Sequence, residues 1–388
     1  MYELKGQFNT ARVYADMLED TATAQILAFL DSVHADAVGT GACEKPSIAI
    51  MPDCHAGKGC VIGFTEKLHS DHVVPSLVGC DIGCGMIAWK IHGHEFDERG
   101  LRELDSACHR AIKSGFDIWP ADNVHRYADW YTAQLRKIKA PVDVEKARRS
   151  VGSLGSGNHF VELNQASDGD YWLVVHTGSR HLGLEVEAYY TGKATVTDKG
   201  LAAVVGEDYA DYINDMGITQ KFAHVNRLAI MWNLLEAIGI TRVGDGSKGT
   251  IVDNIETVHN YIDLEHRTVR KGAISLQAGE RAIIPMNMAD GSLLVTGKGN
   301  PDWNCSGPHG AGRLMSRGQA RRELTMEAFR ESMEGVYSTT VTEDTIDESK
   351  MAYKPMESIV AAIGETCTVD EVIKPVYNFK AAEHRRRR

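Results

Sequence analysis

The chain reads as an α/β protein. Short apolar runs with strand character (Ile48-Ala-Ile-Met51, Met86-Ile-Ala-Trp-Lys-Ile91, Trp172-Leu-Val-Val175, Leu293-Leu-Val295) are interleaved with stretches of helical period at 21–33, 101–111 and 222–238. Several of the runs end in glycine-rich turns that carry histidine, cysteine or carboxylate side chains.

The bulk numbers narrow the class. With 388 residues, 43% hydrophobic and 24% charged, the composition is that of an ordinary globular protein, and the length alone allows two or three domains. No apolar run reaches the length of a membrane span, and the opening Met1-Tyr-Glu-Leu-Lys5 is no signal peptide, so a cytoplasmic address is expected. The eight cysteines (43, 54, 60, 80, 84, 108, 305 and 367) lack the close, regular spacing of a disulfide framework. A net charge of −11 argues against a protein that coats polyanions, because such affinity scales with the phosphates neutralised. It leaves open an enzyme with a locally basic groove. The terminal run of four arginines, within 381–388, reads as a solvated or appended tail.

In chain order, Thr21 can cap a helix over 21–33 whose face is Ile26, Leu30 and Val33. The strand at 48–51 delivers a polar loop, Pro52-Asp-Cys-His-Ala-Gly-Lys-Gly59, where Asp53, His55 and Lys58 can face a cleft; His55 is read as a supporting or substrate-contacting group. In Leu77-Val-Gly-Cys-Asp-Ile-Gly-Cys-Gly-Met86, Asp81 and Cys84 sit three apart on a tight turn. Two readings stand there, a shared metal site or a turn with an inert buried cysteine. The 101–111 helix shows an ordinary core stripe, and 115–150 reads as irregular.

The histidines move the balance toward metal. His159 leaves the turn Leu154-Gly-Ser-Gly-Asn-His-Phe-Val-Glu162, with Asn158 and Glu162 able to read a polar ligand, and His176 ends a buried strand before Thr-Gly-Ser-Arg180. The helix at 222–238, stopped by Gly239, carries Asn226 and an Arg227 suited to phosphate; His259-Asn260 follows a charged run. Arg270-Lys-Gly-Ala273 and 284–292 read as loops. The last motif, Cys305-Ser-Gly-Pro-His-Gly-Ala-Gly-Arg313, is expected to open into a helix from Leu314 to about Met333, with free N–H groups and Arg313 for phosphate. His309 there fits a general base, a phosphate contact or a phosphoryl-accepting nucleophile. Neither a P-loop nor a dinucleotide fingerprint occurs.

Taken in order, Val78–Met86, Leu154–Glu162, His176–Arg180, His259-Asn260, Arg270–Ala273 and His309–Arg313 resemble the motifs of the RtcB family, over about 51–380. Its members are GTP-dependent RNA ligases that join 3′-phosphate or 2′,3′-cyclic phosphate ends to 5′-hydroxyl ends. The resemblance implies a single compact α/β domain over 1–388, with mixed sheets and flanking helices around a dinuclear metal cleft. It implies two Mn²⁺ ions, one held by Asp81, Cys84 and His159 and the other by Cys84, His176 and His259, the Cys84 thiolate bridging. It implies GTP as co-substrate, His309 as the residue that takes GMP, and a guanylate pocket. That pocket would draw on Asn158, His159, Phe160, Val161, Glu162, His259, Asn260, Pro285, Met286, Asn287, Met288, Ser292, His309, Gly310, Ala311, Gly312 and Lys380. RNA would be held near Lys58, Arg180 and Arg227. The other reading is a metal-dependent phosphoesterase that opens cyclic phosphates without joining ends. Three positions depart from the family pattern. Gly307-Pro308 stands before His309 where Cys-Ser is usual, Pro285-Met-Asn-Met-Ala289 replaces Pro-Gly-Ser-Met-Gly, and His181 replaces a glycine.

Overall fold

A computed structural model describes residues 1–31, 47–68, 71–196, 202–240 and 248–381. Seven antiparallel strands form the larger sheet, in the order Thr250–Val258, Gly85–His92, Tyr171–Thr177, Phe160–Gln165, Cys367–Lys380, Gly291–Gly297 and Arg281–Asn287. Six strands form the second, in the order Tyr2–Lys5, Thr10–Val13, Ile48–His55, Ile62–Lys67, Thr268–Lys271 and Asn260–Asp263. There Thr10–Val13 runs parallel to Ile48–His55 and the other neighbours are antiparallel, so the chain is α/β with mixed sheets.

Strand Tyr171–Thr177 is buried along its whole length, which is why its sequence shows a continuous apolar run instead of alternation. Leu173 and Val175 pack with Ile230, Met231, Leu234 and Leu235 of the helix Gly206–Ala237 on one face. Trp172 and Val174 face the other way, into a core shared by Met86, Ile255, Ile283 and Leu294. That core closes because the sheet curls until its edge strands meet, Ile283 N donating to Thr257 Oγ1 at 3.0 Å. On this inner face the register lines up Met86, His176, Phe160 and Lys380 in one row, with Glu162 beside Asn378 in the next but one.

Several sequence expectations shift. The first helix is Asp20–Leu30, entered from an extended Glu19, so Thr21 lies inside its first turn and is not the cap; Val33 falls outside the described residues, as do Cys43 and 382–388. The strand at 48–51 continues to His55 and stays buried up to Cys54, with a register shift between Ile50 and His55 that accommodates Pro52. The stretch read as irregular holds two helices, Arg126–Leu135 and Val144–Ser150. Each is too short for its period to stand out, and Asp143 caps the second by accepting from Lys146 N at 2.9 Å. The segments 270–273 and 284–292 are largely strand, joined at 287–291 by a turn in which Asn287 Oδ1 accepts from the amides of Ala289 and Asp290. The helix expected from Leu314 is two short ones, Arg317–Glu323 and Met326–Ser332, the second restarted by Thr325 as its cap. Gly310–Gly312 therefore do not open into a helix N-terminus, and the cradle expected there is absent.

Asp215 holds the 126–150 region to the long helix. It is fully buried and accepts from the amides of Lys139 at 2.9 Å and Ala140 at 2.8 Å and from the Tyr190 hydroxyl at 2.8 Å. Asp215→Ala strands those donors without acceptors and should cost about 3 kcal/mol, read as a lower urea midpoint at unchanged slope.

Candidate active site

Three loops meet over one turn of the helix Gly206–Ala237. Asn226, fully buried, accepts from the amides of Gly152 (2.8 Å) and Ser153 (3.1 Å) and donates to the carbonyls of Ser153 (3.0 Å) and Gly178 (3.2 Å). Arg227, equally buried, donates to the carbonyls of Gly83 at 2.7 Å and Thr177 at 2.9 Å and pairs with Glu256 at 3.0 Å. Arg227 thus has no access to phosphate or RNA, contrary to expectation. Arg180 is also committed, to Ser153 Oγ at 3.0 Å and the Gly115 carbonyl at 2.6 Å. Lys58 is exposed. The pinned loops carry Asp81, Cys84, His159 and His176. At Gly155 (φ 94°) a Cβ would run into the Arg180 guanidinium and His159 Nδ1, so only glycine lets the loop pass.

The side chains on these loops form a string of donors. His159 Nε2 lies 3.0 Å from Asp81 Oδ2 and 3.5 Å from Cys84 Sγ. Cys84 Sγ lies 3.3 Å from His176 Nε2, which lies 3.4 Å from His259 Nε2. Cys84, His159 and His176 are a buried group with the spacing to hold one metal ion. His176 Nδ1 donates to the Asn158 carbonyl at 3.2 Å, which leaves its Nε2 lone pair aimed at sulfur and at a second imidazole. Burial, with neighbouring His159 and His309 respectively, pushes His176 and His259 well below the usual histidine range, so both are neutral donors. Burial also pushes Asp81 up, but its bonds to His159, Cys84 and Ser179 outweigh this and hold it at about 2. Burial and the Asp81 charge push the Cys84 thiol far up, an effect that an adjacent divalent cation reverses. Carboxylate, thiol and lone-pair nitrogens facing one another with no cation among them are poorly matched, and a transition-metal ion fits them.

His309 stands beside this string, its ring centroid 4.9 Å from that of His259. Asp53, fully buried, accepts from His309 Nδ1 at 2.6 Å and from its backbone amide at 3.1 Å. Nδ1 therefore carries the proton and Nε2 the lone pair. Ahead of it, Gly307 and Pro308 belong to the strand Ser306–Pro308, paired with Ala273–Ser275; a Cβ at 307 would strike Leu276, which accounts for the glycine. His55 donates to the Asp53 carbonyl at 2.9 Å, and burial lowers it to about 4.

A cavity of about 400 Å³ opens next to His309. Its wall includes Asn158, Phe160, Glu162, His176, Pro285, Met286, Asn287, Met288, His309, Gly310, Ala311, Gly312 and Lys380. Five residues expected there are not in the wall. His159 and His259 turn to the donor string, Val161 faces the opposite core, and Ser292 is sealed in the sheet. Asn260 braces the backbone, donating to the Asp81 carbonyl at 3.3 Å and accepting from Gly272 N at 2.9 Å. Burial raises Glu162 to about 7 against the bond from Asn378 and the Lys380 charge, and its Oε1 has no partner.

The sequence reading missed one wall of the cavity. Glu348, almost fully buried, pairs with Lys380, with Arg317 at 2.6 Å and with Arg313 at 3.5 Å, and accepts from the Tyr353 hydroxyl at 2.7 Å. Burial raises Glu348, but Lys380 and Arg317 outweigh it and hold it at about 2. Arg313 also donates to the Asp347 carbonyl at 2.6 Å, so it braces the wall and is no free phosphate partner. No motif marks Glu348 or Asp347; the only local signal is the Thr342–Thr345 capping box before them.

A family model described as "tRNA-splicing ligase RtcB" matches residues 38–381. The chain belongs to the RtcB family. An "RNA-splicing ligase RtcB" of Escherichia coli K12 is 32% identical over 374 residues, covering 86% of this chain and 90% of the relative. RtcB proteins of Aeropyrum pernix and Mycobacterium tuberculosis H37Rv are each 26% identical, covering 81% and 80% of this chain and 83% and 91% of theirs.

If the donor string holds metal, this RtcB protein should retain a divalent transition metal through dialysis at pH 8. Cys84→Ala should weaken retention by more than the roughly 100-fold typical of a lost outer partner. Retention should fall as pH drops, because thiol and imidazoles must shed protons to bind. Elemental analysis of dialysed protein at pH 5.5, 7 and 8 measures all three effects.

Proposed function

We propose that the chain is a GTP- and Mn²⁺-dependent RNA ligase that joins RNA 3′-phosphate or 2′,3′-cyclic phosphate ends to 5′-hydroxyl ends. The observation that carries this reading is the Asp53–His309 couple, set between the donor string and the cavity. A buried carboxylate that fixes Nδ1–H makes Nε2 the nucleophile and stabilises positive charge on the ring as it attacks.

In this reading Asp81, Cys84, His159, His176 and His259 would hold the two Mn²⁺ ions. The ions supply Lewis-acid stabilisation of the negative charge that develops on phosphate oxygens. The cavity takes the guanosine of GTP. Glu162, with one oxygen unpaired, accepts N–H groups from the guanine edge, while Lys380 and the Glu348 network keep that wall rigid and polar. His309 Nε2 attacks the α-phosphorus, pyrophosphate leaves, and a phosphoramidate to GMP remains on Nε2. GMP passes to the RNA 3′-phosphate, restoring His309 and giving a diphosphate-linked guanosine end. The 5′-hydroxyl then attacks the phosphorus of the RNA 3′-phosphate, forming the phosphodiester and releasing GMP. The printed names of the relatives, RNA- and tRNA-splicing ligases, support this class. Hydrolysis by metal-activated water needs no nucleotide-accepting histidine, which favours the ligase reading over a phosphoesterase.

Protein incubated with Mn²⁺ and α-³²P-GTP should acquire an acid-labile, alkali-stable label. His309→Ala should abolish it, and Asp53→Asn should slow labelling on the order of 10⁴-fold by losing the tautomer. No label, with cyclic-phosphate opening retained, would select the phosphoesterase. GTP binding to His309→Ala should tighten from pH 6 to pH 8. Glu162 sits near 7, its protonated form accepts less well, and ionisation restores the acceptor. Glu162→Gln should flatten that dependence in calorimetric titrations.

A further inference from the structure

The stretch 110–150 is unlike the rest of the chain. It carries nine Lys and Arg against five Asp and Glu, where the whole chain has 42 against 53. It also presents two large aromatic side chains to solvent, Phe116 at 80% exposure and Trp130 at 71%. Neither packs into the cores that hold the surrounding helices, where Ala128, Tyr131 and Leu135 are the buried positions.

Phe116 is not on a loose tip. The neighbouring Gly115 donates its amide to the Gly155 carbonyl at 2.7 Å and accepts from the buried Arg180 at 2.6 Å. Leu154 N bonds the Lys113 carbonyl at 2.7 Å, and Lys113 bridges Ser153. Further along, Trp119 Nε1 donates to the Gly152 carbonyl at 3.3 Å, and the Lys113 ammonium lies 5.0 Å from the Trp119 ring centre. The segment is therefore laced to the 152–155 loop, the loop that leads directly to His159. Phe116 is thus an exposed aromatic on a rigidly anchored segment with no packing role in the cores, and Lys113 on the same anchored segment supplies a positive charge suited to a phosphate.

We propose that the surface around Phe116 binds a single-stranded segment of the RNA next to the ends being joined, with Phe116 stacking on a base and Lys113 taking a phosphate. Stacking on an aromatic side chain is tolerant of sequence, while backbone contacts set the salt dependence. The proposal rests on the ligase reading for its substrate but not for its test. An acidic protein partner for the same surface is the competing class, and loss of RNA binding in Phe116→Ser but not in Phe116→Trp speaks against it.

The test uses full-length protein and a fluorescently labelled ten-nucleotide single-stranded RNA, followed by anisotropy. Phe116→Ser should weaken binding about tenfold, and Phe116→Trp should keep it. Lys113→Glu should weaken binding and reduce the salt slope by roughly one. The thermal midpoint of Phe116→Ser should not move, since that side chain is exposed. Labelling by α-³²P-GTP should be unchanged in Phe116→Ser while the KM for RNA joining rises, so failure of the ligase reading (no label in any form) is separable from failure of this one. Wild-type RNA affinity in Phe116→Ser, or no RNA binding by the wild-type protein, overturns the proposal.

Discussion

The candidate site depends on two adjacent buried side chains, Asn226 and Arg227. Loops at 83, 152–153 and 177–178 present carbonyls to a space that water does not reach, and each would carry a desolvation penalty if left unpaired. Asn226 and Arg227 satisfy them from one helical turn, and Glu256 balances the guanidinium. The helix that carries them is 32 residues long and is locked by its apolar face to the curled sheet. A rigid rod with a polar notch thus sets the relative position of loops from three separate parts of the sequence. Side chains on those loops can then converge to within 3.0–3.5 Å of one another without any of the loops being rigid alone.

The chemistry of the site was more legible than the scaffold. Asp81, Cys84, His159, His176, His259 and His309 stand in short motifs whose glycines advertise tight backbone, and the motif order carries the family. The second half of the long helix was legible from its apolar period over 222–238 and the buried strands from short continuous apolar runs, whereas the helix in fact begins at Gly206, where acidic and polar residues interrupt the period. The rest was hidden for physical reasons. The helices Arg126–Leu135 and Val144–Ser150 each bury only a few side chains, and charged residues on their outer faces obscure the period. Asp53 reads as a loop aspartate because nothing local reveals that it meets a histidine 256 residues away. Arg180, Arg227 and Arg313 look like phosphate ligands, since sequence gives charge but not burial; all three spend their donors on the protein's own carbonyls and carboxylates.

The cavity shows how burial sorts carboxylates that sequence treats alike. Glu348 meets Lys380, Arg317 and Arg313 and stays ionised, so its charge is spent inside the wall. Glu162 receives one amide N–H, from Asn378, and burial outweighs that bond and the Lys380 charge and raises it to about 7. A ligand that brings N–H groups to Glu162 supplies what the protein withholds, and one that brings a carbonyl there meets an unpaired oxygen. Selectivity at this wall follows from an incomplete hydrogen-bond set, because the wrong partner leaves a buried acceptor unmatched.

His259 joins the two halves of the machinery. It is the one residue between Thr250–Val258, an edge of the larger sheet, and Asn260–Asp263, an edge of the smaller. Its amide donates to the Cys84 carbonyl at 2.9 Å, its carbonyl accepts from Ala273 N at 3.2 Å, and Asn260 O accepts from Gly83 N at 2.7 Å. The larger sheet supplies His176 and the cavity floor; the smaller supplies Asp53 and, through the Ala273–Ser275 pairing, the strand before His309. The imidazole at the junction touches both, 3.4 Å from His176 Nε2 and with its ring 4.9 Å from that of His309. Any shift of one sheet against the other would move the proposed nucleophile relative to the donor string, and the backbone bonds on either side of His259 resist that shift. Distance between the proposed nucleophile and the donor string is thus a property of sheet packing, fixed before any ligand arrives.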